Sequence, residues 1–76
     1  MQEQEKQIQI KNMLRGLMVS NGYTLERLAK ELTEHTGINH TTQSISNKLS
    51  RGSIRFLDVI EICEVLKLKI EFKKLD

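Results

Sequence analysis

Within the stretches expected to be helical between Ile10 and Leu66 the apolar residues are spaced three and four apart, and beyond Leu66 the interval drops to two. This change of period constrains the fold more than any other feature. A repeat near 3.6 residues builds helices with one buried face, whereas a repeat of two builds a strand. Ile10, Met13, Leu14, Leu17 and Met18 make the first stripe, on a helix beginning at Ile8 or Ile10. The polar MQEQEKQ before it is expected to fray, so residues 1–7 read as an N-terminal extension. Asn21 and Gly22 tolerate the left-handed backbone that closes a helix, and Thr24 is a good N-cap for the next. That second helix, about Leu25 to His35, places Leu25, Leu28, Ala29 and Leu32 on its inner face. Gly37 ends it, and Ile38 is expected to plug the space between helices.

A third helix is expected to start after Thr41 and run to about Ser50, with Ile45 and Leu49 as its inward anchors. Gly52 closes it, and Ser53 or Ile54 leads into a fourth helix holding Phe56, Leu57, Val59, Ile60, Ile62, Cys63, Val65 and Leu66. Leu68, Ile70 and Phe72 then alternate with Lys67, Lys69, Glu71 and Lys73, so residues 67–76 read as a strand with one buried and one wet face. Nothing else in the chain alternates. A strand without a partner leaves backbone donors and acceptors open, and pairing with the same strand of a second subunit closes them. Leu68, Ile70 and Phe72 are the expected dimerisation residues.

At 76 residues the chain has room for one domain, and a domain of this size buries only about 60% of its unfolded surface. The fold class is therefore mainly α, a compact four- to five-helix domain over 8–66 followed by the strand. No apolar run approaches the roughly 20 residues that cross a bilayer, and the first residues lack a cationic leader and a hydrophobic segment. The protein is expected to be cytoplasmic, with no membrane partner. Cys63 is the sole cysteine, which excludes an internal disulfide or a thiolate zinc cluster, and its apolar neighbours make it a buried, inert thiol.

The net charge of +2 says little about nucleic acid, but the distribution says more. Between Glu34 and Asp58 there is no acidic residue, while Lys48, Arg51 and Arg55 are present. The acids fall on the first two helices and on the expected outer face of the fourth, at Asp58, Glu61 and Glu64. A surface that must approach phosphates cannot carry carboxylates. With Ile45 and Leu49 turned inward, Thr42, Gln43, Ser44, Asn47 and Lys48 are left outside. Gln and Asn bond bidentately to adenine, and Ser and Thr hydroxyls reach phosphates or base edges. A packed second helix, a turn of about six to eight residues and a sparsely anchored third helix follow the helix-turn-helix plan. In that plan Thr24, Thr41, Arg51 and Arg55, with amides near Gly52, grip phosphates, and a two-fold pair of reading helices lies about 34 Å apart, or a multiple of it.

The stretches YTLERLAKEL, TQSISNKLSRGS and FLDVIEICEVLKLKIEF resemble the phage repressor and Cro-like (XRE-type) helix-turn-helix superfamily over roughly Leu14 to Leu68. Leu28–Ala29 matches its Leu-Ala pair, Ile45–Ser46 its Ile-Ser step, and Gly52 its closing glycine. LKLKIEF is similar to the strand through which some antitoxins share a two-stranded sheet. The resemblance implies a sequence-specific regulator of transcription, a homodimeric repressor on a palindromic operator, with Gln43 the foremost base reader. Two features depart from the pattern: the link after Leu32 is longer, and the Ile45 to Gly52 interval has one extra residue. An inserted residue rotates all that follows by about 100°.

A second class of function is an antitoxin-like interaction module that masks a toxin or other protein partner. Enzymatic activity is not expected. His35 and His40 flank a glycine turn with no acid or cysteine near in sequence to complete a zinc site or orient a base. Glu31 and Glu34 lack a partner pair, Met13 and Met18 read as core filler, and Tyr23 is expected to pack over the join of the first two helices. No cofactor or metal is implied.

Overall fold

Two threonines start two of the helices. In the computed structural model, which describes residues 2–75, Thr24 accepts a hydrogen bond from the Arg27 amide at 3.1 Å and Thr41 accepts one from the Ser44 amide at 3.0 Å. Each satisfies an N–H that has no partner within its helix. The elements are α1 (Gln2–Ser20), α2 (Leu25–Thr36), α3 (Thr42–Arg51) and α4 (Phe56–Leu66). Gly37 and Gly52, both left-handed, close α2 and α3.

The core is built from one stripe of each helix: Leu14 and Met18, Leu28 with Ala29 and Leu32, Ile45 and Leu49, then Ile62, Val65 and Leu66. Leu14 and Leu28 are the largest side chains wholly removed from solvent. Packing joins α2 to both α3 and α4, and α1 to α3. The surface that α3 leaves uncovered is thus set by neighbours on two sides.

Several expectations are corrected. Residues 2–7 are the first turns of α1 and not a frayed extension, since Gln, Glu and Lys are good helix formers and nothing before Ile8 breaks the helix; Met1 lies outside the described residues. Met13 is 54% exposed because it sits beside the Ile10, Leu14, Leu17 and Met18 stripe, not on it. Ile38 is 65% exposed on the turn, so it does not fill an interhelical gap. Phe56 and Leu57 are exposed, whereas Asp58, expected on the outer face of α4, is buried.

The strand expected over 67–76 does not form within the chain. Lys67 caps α4 in the left-handed region (φ 59°), and the chain beyond it is irregular, with no ladder among the described residues. Among the described residues every earlier segment is helix or short connection, so none supplies a second strand. The alternation survives in burial: Leu68 and Ile70 are half-buried, Lys69 and Glu71 exposed. Phe72 is then 85% exposed and Leu75 wholly so. Asp76 lies outside the described residues.

Candidate nucleic-acid interface

Ile45 and Leu49, one turn apart, are 3% and 2% exposed and hold α3 against the core. The residues turned furthest out are Gln43, Asn47, Ser50 and Arg51; Asn47 lies four residues after Gln43, and Ser50 and Arg51 lie three and four after Asn47, hence on one face. Thr42, Ser44 and Lys48 flank that face half-buried. Of the five expected base readers, Gln43 and Asn47 therefore lie at the crest. The Gln43 amide donates to Asn47 Oδ1 at 3.3 Å. The Gln43 carbonyl and the Asn47 amide N–H, one acceptor and one donor, take no part in this bond. Adenine presents the complementary pair, N6–H and N7, in the major groove.

The expected phosphate contacts separate into groups. Thr24 and Thr41 use a hydroxyl lone pair as N-caps and keep their O–H for another acceptor. Arg51 is exposed in the last turn of α3 and makes no ion pair among the described residues. Two of the amides near Gly52 close the end of α3: Gly52 N–H donates to Leu49 at 3.3 Å and Ser53 N–H to Lys48 at 3.0 Å. Gly52 serves a second purpose. Its φ of 66° suits glycine, and a Cβ there would overlap the Gln7 side chain of α1.

Asp58 is the residue the sequence reading misplaced. It is 7% exposed, accepts the Arg55 amide at 2.9 Å, and lies 3.7 Å from Lys48 Nζ and 3.5 Å from Arg55 Nε. Burial pushes its carboxyl up, but the Arg55 amide and side chain and the Lys48 charge outweigh it and hold the group below the ordinary carboxylate value. Lys48 is thereby tied to α4 and partly neutralised, while Arg55 remains 70% exposed. The available signal was its place three residues after Arg55, where a carboxylate caps a helix. Lys11 was also missed: with Gln7, Ile8, Leu49 and Ser50 it lines a small hollow between α1 and α3, extending the basic surface. No local pattern marks it, since only the packing of α1 brings it there.

The corner around Tyr23 is differently built. Tyr23 donates to Glu31 at 2.6 Å and to the Val65 carbonyl at 3.4 Å, and Arg27 lies 4.1 Å above the Tyr23 ring while bonding Glu31 at 2.8 Å. The bond to Glu31 raises the Tyr23 hydroxyl pKa; the bonds from Tyr23 and then Arg27 lower that of Glu31. Tyr23 thus joins the end of α1 to α2 and α4. His35 bonds Glu64 at 2.9 Å, and His40 lies 3.2 Å from the Thr36 hydroxyl, so each has a structural partner. Among the described residues no cluster of three or more His, Cys, Asp or Glu side chains could hold a metal, and no helix is long and apolar enough to cross a membrane.

No curated protein and no solved structure matches the chain significantly. A family model does match, from Gln7 beneath Gly52 to Ile70 in the tail, and the chain belongs to that family, described as Domain of unknown function (DUF6471), over residues 7–70.

Proposed function

We propose that this chain is a sequence-specific double-stranded DNA-binding regulator of transcription, a homodimeric repressor that reads a palindromic operator with α3 in the major groove. The observation that carries the reading is the outer face of α3. Gln43, Asn47 and Arg51 are exposed on one line, on a helix pinned by Ile45 and Leu49, within a segment that has no carboxylate from 35 to 57. The five-residue connection between α2 and α3, residues 37–41, is shorter than the sequence spacing suggests because α2 continues to Thr36. That length favours the helix-turn-helix reading. Gln43 and Asn47 supply base contacts, with Thr42, Ser44 and Lys48 at the flanks. Arg51, Arg55, Lys11 and the Thr24 and Thr41 hydroxyls supply phosphate contacts, which fix register without reading sequence. Gly52 contributes by ending α3.

Selection of bound duplexes from a random pool tests the reading. Enrichment of a two-fold symmetric site, with the preference relaxed in a Gln43→Ala, Asn47→Ala variant, is the expected result. Failure to enrich any sequence from the pool overturns it.

A further inference from the structure

We propose that the segment Leu68–Phe72 docks on the same segment of a second copy as an antiparallel pair in one register, with Ile70 opposite Ile70 on the two-fold axis. This rests on the homodimer of the proposed function but not on the DNA it binds. In antiparallel strands residues directly opposite share a face, so registers that oppose apolar to charged residues mix the two faces and are excluded. Three registers remain near the centre of the segment. With Lys69 on the axis, Lys69 faces its own copy. With Glu71 on the axis, Glu71 faces its own copy. With Ile70 on the axis, Lys69 faces Glu71 twice and Leu68 faces Phe72 twice. Within Leu68–Phe72 only the last gives opposite charges on the wet face at both symmetric positions without placing a charge against itself; Lys67, which would next face Lys73, is the left-handed cap of α4 and lies outside the paired segment. Parallel in-register pairing sets Lys69 beside Lys69 and Glu71 beside Glu71, and is disfavoured for the same reason.

The end of α4 then decides the hydrogen-bonding phase. The Leu68 N–H already donates to Cys63 at 2.8 Å and the Lys67 N–H to Glu64 at 3.2 Å. Leu68 therefore cannot exchange bonds with Phe72, and Lys69 and Glu71 must form the hydrogen-bonded pairs. Ile70–Ile70 and Leu68–Phe72 become the closer, non-hydrogen-bonded pairs, where side chains touch best. Phe72, 85% exposed in one copy, gains cover from Leu68 of the other, which is itself packed on the core.

The full chain is tested by sedimentation equilibrium at low salt with Lys69→Glu, Glu71→Lys and an equimolar mixture of the two. Both side chains are exposed, so neither change threatens folding. Each variant alone opposes like charges and is expected to weaken self-association about tenfold. The mixture restores it, because in the mixed dimer the acid introduced at position 69 meets the base introduced at position 71, while the native Glu71 and Lys69 still meet across the axis. Ile70→Cys is expected to cross-link to its own copy on oxidation, the opposed Cα atoms being about 4.5 Å apart; the native Cys63 is buried. A monomer at about 100-fold above the concentrations of the DNA assay, a Lys69→Glu variant that dimerises more tightly, or a mixture no better than its components overturns the proposal. Each of these results leaves the DNA selection to stand or fall separately.

Discussion

A single side chain, Asp58 of α4, pairs with Lys48 of α3, and its chemistry makes the link depend on acid. Its carboxyl titrates below the ordinary value in the folded chain and near about 4 when unfolded. A group depressed by folding contributes stability above its unfolded pKa and loses it as pH falls through the folded one. Asp58→Asn is therefore expected to cost about 1–2 kcal/mol near neutral pH and to flatten the decline of stability below about pH 4. Denaturant unfolding across pH checks both; an unchanged acid slope would show that the carboxylate is not the linked group. Gly52 makes a second residue-scale case. Gly52→Ala combines a positive φ with overlap on Gln7, and a loss of about 1–3 kcal/mol is expected by thermal unfolding. The glycine was legible as a helix stop, but its contact with Gln7 was not, since 45 residues separate the two.

At the scale of elements, helices were the most readable part. Apolar spacing located the buried stripe of each helix, though not the exposure of Met13, Phe56 and Leu57, and Thr24, Thr41, Gly37 and Gly52 cap where their chemistry says they should. The start of α1 was misread because polar residues with high helix propensity carry no periodic signal. The end of α4 was legible as a change of period at Lys67, but not as a left-handed cap on a residue with a Cβ. Such a backbone costs about 1–2 kcal/mol for a non-glycine residue, so Lys67→Gly is expected to raise stability by about 1 kcal/mol and the melting temperature by about 4–8 °C. Calorimetry provides the check, and a lower melting temperature would mean that the Lys67 side chain supplies more than its conformation costs.

Charge is spread unevenly over the whole molecule, and under the proposed function DNA affinity is the property that reports it. Each phosphate contact removed reduces the slope of log K against log salt by about 0.9. Arg51→Ala is expected to lower that slope by about two for a dimer while leaving base preference intact, whereas Gln43→Ala should do the reverse. Binding titrations over a salt series distinguish the two, and identical effects would argue against separate reading and gripping roles. By itself the sequence determined the helical repeats, their caps, the acid-free stretch and the alternation of the tail, because these depend on neighbours within a turn or two. Only the tertiary structure decided that Asp58 turns inward to hold Lys48, that Lys11 joins α3, that Met13 and Ile38 stay in solvent, and that the tail finds no strand among the described residues. Those outcomes depend on which faces meet across the core and on what the capped backbone has left to bond, and neither is written in the local pattern.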